Sequence, residues 1–254
     1  MFSIYSSAFN LIKNNFDYRA TINNFSSFAE EVVIAINKSE DETLEKIKDL
    51  KISNLKIVEA NISYEDPLLD GKIKNLALQN TTLPLKIGLD MDEYIPLWQK
   101  SMWINLGSQL LEDNEADCYM IPSLNLYRNE DEYASINPKW YLHKSGLIRG
   151  PVFFGLKQGN FLDIEKSDGC ELIYPDKTLA RSRIAPTDID ILRSNQAPFV
   201  VHTGYLSIKN RILRQENFWN KHWERASGGL QKSTNPTKEE DFISKTQKHL
   251  LRIK

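Results

Sequence analysis

The first hundred residues alternate between short segments rich in Val, Ile and Leu and longer segments with helical spacing of apolar residues, and this alternation restricts the fold more than any other feature. Strands that alternate with helices indicate parallel strands joined by crossover helices. The predicted strands cover residues 2–6, 31–36, 55–58 and 85–89. The predicted helices lie within 8–22 and over 44–50, with Ser39 as N-cap, and 70–80. We therefore expect an α/β protein with a mixed central sheet flanked by helices.

The later part of the chain has a less regular order. A helix is predicted over 98–111 with Trp98 and Trp103 in the core, strands over 117–122, 140–143 and 199–202, and a Gly-rich segment at 146–159. The polar stretches at 112–117 and 128–137 are typical of solvated loops. An amphipathic helix with Phe218, Trp219 and Trp223 precedes a linker over 227–236.

Composition excludes several classes of protein. The 32 basic residues stand against 34 acidic ones with a pI near 6.1, so no broad attraction to nucleic acid or an anionic membrane is expected. No signal peptide and no apolar run of about 18 residues is present, which favours a cytoplasmic protein without a transmembrane segment. Cys118 and Cys170 lack metal-ligand spacing and are expected to be reduced thiols.

Two carboxylates, Asp90 and Asp92, follow the fourth predicted strand with one residue between them. Such a pair at the end of a buried strand is costly unless a positive charge neutralises it. Carboxylate oxygens are ligands that Mg²⁺ and Mn²⁺ prefer, and phosphate oxygens would complete the shell. Because ligands of open α/β sheets lie beyond the carboxyl ends of the strands, this pair marks the expected site.

Three segments in register resemble the successive signatures of family-2 glycosyltransferases of the GT-A fold. They are residues 34–43 (IAINKSEDET), 71–78 (GKIKNLAL) and 85–93 (LKIGLDMDE). The resemblance implies a Rossmann-like nucleotide-diphospho-sugar transferase fold. It also implies a metal-dependent reaction that moves a sugar from a nucleotide-diphosphate sugar to a hydroxyl of a glycan or glycoconjugate, with inversion as is usual in that family.

The resemblance implies one GT-A domain over residues 1–205, followed by a helical C-terminal extension over 206–254. Residues 1–96 would form its nucleotide-binding half and residues 97–205 its acceptor half. The extension is expected to serve in self-association or in peripheral membrane contact.

Carried over by position, the resemblance gives a set of donor-binding residues. Asp90 and Asp92 would bind the ribose and the diphosphate, the latter through Mn²⁺ or Mg²⁺. The remaining nucleotide-sugar contacts would come from Ser6, Ser7, Asn37, Lys74, Met91, Glu93 and Arg149, with Lys144 as a further cation near the diphosphate. Ile36 and Asn37 stand where the family commonly has two acidic residues, so the base that is recognised stays open.

The resemblance also implies a third metal ligand and a catalytic base. His202 ends an apolar strand and would be the ligand, with a structural strand-capping histidine as the alternative. For an inverting reaction a carboxylate must take the proton of the acceptor. Asp168 and Glu171 are the candidates, and the sequence does not choose between them.

Competing interpretations remain open at this point. The first is a GT-A scaffold without turnover that binds a nucleotide or glycan. The second is a metal-dependent nucleotidyltransferase, which would need a Gly-rich basic loop after the first strand that residues 6–10 do not supply. A second Asp-x-Asp sequence, Asp188 and Asp190, has the pattern of a helix start and is expected to be structural.

Overall fold

The computed structural model describes residues 2–144, 148–149, 157–158, 161–162, 172–173, 181–184, 197–226 and 251–252. Its strands are β1 (Phe2–Ala8), β2 (Glu31–Asn37), β3 (Leu55–Ala60), β4 (Leu85–Gly88), β5 (Glu93–Tyr94), β6 (Cys118–Tyr127), β7 (Asn129–Lys144), β8 (Ile148–Arg149), β9 (Lys157–Gln158), β10 (Phe161–Leu162), β11 (Leu172–Ile173), β12 (Ser182–Ile184), β13 (Val200–Tyr205) and β14 (Leu251–Arg252). The helices before β6 are α1 (Tyr18–Phe28), α2 (Thr43–Lys48), α3 (Leu69–Gln79), a 3₁₀ turn (Leu97–Gln99) and α4 (Lys100–Glu112). Cys170, the sequence at 188–190 and the linker at 227–236 lie outside the described residues.

The first four strands form the parallel half of the sheet, in the order β3-β2-β1-β4. Almost every residue of β1, β2 and β4 is buried, as expected for strands that helices cover on both faces. The predicted crossover arrangement is therefore confirmed. The order of the strands reverses between β1 and β4, and this is where open α/β sheets bind their ligands.

The second half of the sheet is mixed. β7 runs antiparallel to both β4 and β6, while β13 runs parallel to β6 and antiparallel to β5. The predicted loop at 128–137 is wrong, because Asn129–Lys144 is one long strand. Its pairing with β6 overrides the polar local composition, as often happens for strands. The expected α/β class with a mixed, helix-flanked sheet is confirmed.

The hydrophobic core lies on both faces of the sheet. The larger cluster packs α1 and α4 on one face and includes Phe28 against Trp103, while the smaller one packs α3 on the other face. Trp98 is not in the core as predicted. It is 52% exposed, because it lies on the 3₁₀ turn before α4, and its ring packs at 70° to that of Phe199 with the centroids 5.9 Å apart.

The predicted N-cap of the second helix is also wrong. α2 begins at Thr43, with Glu42 at the N-cap position. The hydroxyl of Ser39 instead accepts a hydrogen bond from the backbone N–H of Asn10 (3.0 Å) and donates to the carbonyl of Asn37 (3.1 Å). Ser39 therefore ties the loop after β1 to the end of β2.

A continuous helical stretch follows β13, and we call it the crossing helix (residues 208–226). It consists of an α-helical part (Ile208–Arg214), a π-helical turn (Gln215–Trp219) and a second α-helical part (Asn220–Ala226). Phe218 is buried and Trp219 packs on the smaller core cluster, which agrees with the amphipathic pattern. None of the helices in the described part of the chain combines the length and apolar character needed to cross a membrane.

Candidate functional site

The loop between β4 and β5 carries both predicted aspartates at the carboxyl edge of the sheet. Leu89 prolongs β4, because its N–H donates to the carbonyl of Tyr5 (3.1 Å) and its own carbonyl accepts from the hydroxyl of Ser6 (2.6 Å). The backbone N–H of Asp90 donates to the carboxylate of Glu93 (2.8 Å). Ser6 and Glu93 thus hold the two ends of a short turn whose sequence is Asp90-Met91-Asp92.

Asp90 contacts a buried ion pair on α3, formed by Lys74 and Asp70. The Nζ of Lys74 lies 2.9 Å from Oδ1 of Asp90 and 2.8 Å from Oδ2 of Asp70. The hydroxyl of Ser7 reaches the same Asp70 at 3.3 Å. Lys74 and Asp70 are spaced by four residues, so one helical turn brings them together. The cluster fixes Asp90 at the start of the turn.

Asp92 belongs to a second buried cluster, formed with residues from β13 and the crossing helix. Nη1 of Arg214 lies 3.0 Å from its Oδ2, and Nε2 of His202 lies 3.5 Å from the same oxygen. Burial on its own would raise the pKa of this carboxyl, but His202 and then Arg214 together hold it well below its usual range. Asp92 is therefore kept as a carboxylate.

Three consecutive residues of β13 bring this cluster together. His202 contacts the carboxylate of Asp92, and Thr203 donates to the carbonyl of Asp92 from both its N–H (2.7 Å) and its hydroxyl (2.8 Å). Gly204 provides the space, because a Cβ at this position would lie 2.7 Å from Nε2 of His202 and 2.8 Å from Oδ2 of Asp92. The sheet register between β13 and β6 shifts here as well.

Gly204→Ala is expected to lower the affinity for Mn²⁺ about tenfold, because the added methyl pushes His202 and Asp92 apart. The overpacking should also lower the free energy of unfolding by about 1–3 kcal/mol. Titration calorimetry with MnCl₂ measures the first effect and chemical denaturation the second. Thr203→Ser keeps both hydrogen bonds to Asp92 and is the control. An unchanged Mn²⁺ affinity of Gly204→Ala would show that this space is not part of the site.

The other predicted site residues lie in various environments. The side-chain amide of Asn37 donates to the carbonyl of Ile62 (3.0 Å) and accepts from the N–H of Ile62 (2.8 Å). The side chain of Met91 is buried in the larger core cluster. Arg149 lies on β8 and Lys144 at the end of β7, but their side chains are outside the described set. Asp168 and Glu171 lie outside the described residues.

The donor chemistry of the site fits a divalent cation. Two carboxylates and an imidazole are ligands that Mn²⁺ accepts. Within the described residues no hydrogen bond reaches Oδ2 of Asp90 or Oδ1 of Asp92, so each carboxylate keeps one oxygen for a ligand. In the present arrangement the described residues hold no group of three His, Cys, Asp or Glu side chains placed for a metal ion, since Lys74 and Arg214 pair with the aspartates instead.

Two residues of the site do not follow from the sequence patterns. Asp70 lies in the first turn of α3, where its only signal is a helical spacing of four to Lys74. Arg214 is more than 120 residues from Asp92 and has no local signal, because its role depends on how the crossing helix lies over the sheet.

The comparisons with known proteins are limited to solved structures, because no family model and no curated protein matches the sequence. TarS of S. aureus (residues 1–349) in complex with UDP is 19% identical over 54% of this chain and 40% of that chain, with a TM-score of 0.39. A mannosyltransferase, PcManGT from Pyrobaculum calidifontis in complex with GDP-Man and Mn²⁺, is 11% identical over 95% and 69% of the two chains, with a TM-score of 0.47.

HddC from Yersinia pseudotuberculosis is 12% identical over 85% of this chain and 99% of that chain, with a TM-score of 0.45. The chain spans about two fifths of the length of the TarS structure. At these identities and TM-scores the likeness carries no argument about activity.

Proposed function

We propose that this protein is a metal-dependent glycosyltransferase of the GT-A fold that moves a sugar from a nucleotide-diphosphate sugar to a hydroxyl of a glycan or glycoconjugate. The observation that carries the proposal is the turn at 90–92. It lies beyond the carboxyl ends of β1 and β4, and each of its two aspartates has one carboxylate oxygen that no described residue uses. The donor half is residues 1–96 and the acceptor half residues 97–205.

The two aspartates of the turn have different roles in this proposal. Asp90, held by Lys74, would face the ribose of the donor, and Asp92 with His202 would hold Mn²⁺ or Mg²⁺. An ion at this place would supply positive charge to offset the charge that develops on the departing diphosphate. Ser7 and Lys74 line the approach to the nucleoside, whereas Ser6, Glu93 and Asn37 position the backbone around it.

Transfer with inversion needs one further group. A carboxylate must take the proton of the acceptor hydroxyl while that oxygen attacks the anomeric carbon. We keep Asp168 and Glu171 as the candidates for this base and Arg149 as a further cation for the diphosphate. Replacing each carboxylate by its amide distinguishes them, because only the base is expected to lower turnover without lowering donor affinity.

A binding screen tests the proposal. Thermal unfolding is followed with nucleoside diphosphates and sugar nucleotides, each with and without Mn²⁺, since a ligand that binds only the folded state raises its stability. At ligand concentrations about 100 times Kd, the transition temperature should rise by about 5 °C or more. A shift that needs both Mn²⁺ and one class of nucleotide supports the proposal. The absence of any shift with every nucleotide contradicts it.

A further inference from the structure

The crossing helix lies over the carboxyl ends of the strands, where a donor would have to enter. Its first part packs Ile208 and Ile212 against Tyr127 at the end of β6. Phe218 then packs on Phe9 beyond β1, with ring centroids 4.7 Å apart. Further along, Arg225 donates to the carbonyl of Tyr64 beyond β3 (2.6 Å). The helix therefore passes from the β6 side of the sheet to the β3 side across the candidate site.

One side chain of this helix, Arg214, forms an ion pair with the proposed metal ligand Asp92. The guanidinium is buried and lies 3.6 Å from the centre of the Phe16 ring. Its Nε donates to the carbonyl of Asn14 (3.2 Å) and its Nη2 to the carbonyl of Asn15 (3.3 Å), which leaves Nη1 for Asp92 (3.0 Å). These three hydrogen bonds fix the orientation of the planar guanidinium.

The loop that supplies these two carbonyls has a backbone suited to the task. Asn15 has a φ of 50°, in the left-handed region that asparagine tolerates better than most residues. Asn14 also accepts a hydrogen bond from the side chain of Asn217 on the π-helical turn (3.0 Å). Single π-helical turns within helices are frequent at functional sites.

We infer that Arg214 is a latch: it closes the crossing helix over the site by occupying Oδ2 of Asp92, and a divalent cation bound at Asp92 releases it. This inference rests on the proposed function, because it assigns the cation to Asp92. Two positive charges within contact distance of one carboxylate repel each other, so binding of the cation weakens the hold of Arg214. The helix then loses the ion pair that joins it to the turn at 90–92.

The structure contains a place for the released side chain. A cavity of about 160 Å³ lies beside Asp92 and Arg214, and Asp17 and Ser207 also line it. Release of the latch leaves Arg214 its hydrogen bonds to the carbonyls of Asn14 and Asn15, so the guanidinium does not become an unpaired buried group, which would be costly.

If Arg214 is a latch, its removal should raise the affinity for Mn²⁺, whereas removal of a residue that merely supports Asp92 should lower it. Removing a competing cation strengthens metal binding, so Arg214→Gln should bind Mn²⁺ about fivefold tighter or more. A residue that only orients the carboxylate would on removal weaken the metal by about 10–100-fold. Titration calorimetry with MnCl₂ on the full chain distinguishes the two, and equal or weaker binding overturns the inference.

Hydrogen exchange of the full chain tests the latch without relying on turnover. In the wild type, saturating Mn²⁺ should speed amide exchange across residues 208–226 about tenfold, whereas Arg214→Gln should show the faster exchange without Mn²⁺. Lys209→Gln is the matched control, because it also removes one positive charge from the crossing helix, but at an exposed residue. It should leave amide exchange unchanged. Unaltered exchange in Arg214→Gln overturns the latch.

A second variant keeps the test decisive if Arg214→Gln does not fold. Arg214→Lys keeps the charge, but a lysine cannot reach both carbonyls and Asp92 at once. Its amide exchange across residues 208–226 should therefore be faster than in the wild type and slower than in Arg214→Gln. Wild-type exchange in this variant counts against the latch. Failure of the proposed function is a separate result, namely no nucleotide binding by the wild type at any Mn²⁺ concentration.

Discussion

Asp92→Asn is expected to weaken Mn²⁺-dependent binding of the nucleotide donor by about 100-fold or more, since loss of a ligand should cost at least what loss of its supporting residues costs. The structure adds a second consequence. The carboxylate is the partner of the buried Arg214, so the amide leaves a guanidinium without its counter-charge. We expect the free energy of unfolding to fall by about 3 kcal/mol.

The two effects of Asp92→Asn are measured separately. Urea denaturation gives the stability, and nucleotide titrations with and without Mn²⁺, made well below the transition temperature, give the affinity. The control is Asp188→Asn in the second Asp-x-Asp sequence, which should leave donor binding and turnover nearly unchanged. Unchanged nucleotide affinity and metal dependence in Asp92→Asn would contradict the metal assignment, and a large loss in Asp188→Asn would show that the other acidic pair is the functional one.

Lys74→Met is expected to lower the free energy of unfolding by about 3–5 kcal/mol. Its ammonium lies between two carboxylates, and the side chains of Lys74 and Asp70 are only 6% and 5% exposed. Removing one partner of a buried ion pair leaves an uncompensated charge in the interior. The methionine fills the volume but offers no hydrogen bond, so Asp90 should also lose its fixed orientation and donor affinity should fall.

A matched variant at Lys72, two residues earlier on α3, distinguishes the effect of burial on stability from the effect of ion pairing alone. Lys72 forms an ion pair with Asp66 while 47% exposed, so Lys72→Met should cost no more than about 1 kcal/mol. The double variant Lys74→Met, Asp70→Asn removes both buried charges and should be more stable than Lys74→Met alone. Equal costs for Lys72→Met and Lys74→Met would mean that the buried cluster does not stabilise the protein.

Much of the parallel half of the fold could be predicted from local patterns. The sequence predicts β1, β2, β3 and β4 to within two residues of their ends, because short segments rich in Val, Ile and Leu alternate there with segments of helical spacing. Of the strand over Asn129–Lys144, only residues 140–143 could be predicted this way. Its first residues are polar, and they become a strand through pairing with β6, which is a contact between segments rather than a property of one.

The same distinction applies to the candidate site, where the positions of several residues could be predicted but their partners could not. The chain order alone places Asp90 and Asp92 after a buried strand at the carboxyl edge, and the family resemblance adds Lys74 and His202. It does not assign their partners. Asn37 has the expected position at the end of β2, yet its side-chain amide forms hydrogen bonds with the backbone of Ile62, which lies beyond the neighbouring strand β3.

By itself the sequence determined the α/β class, the parallel direction of the first strands and the position of the aspartate pair, since periodicity, strand ends and short spacings are local properties. Only the tertiary structure decided that Lys74 pairs with Asp90, that Arg214 reaches Asp92 from the crossing helix, and that Gly204 leaves room between them. The physical reason is that the energy of a buried charge depends on which opposite charge lies within about 3–4 Å, and that neighbour is fixed by packing rather than by spacing along the chain.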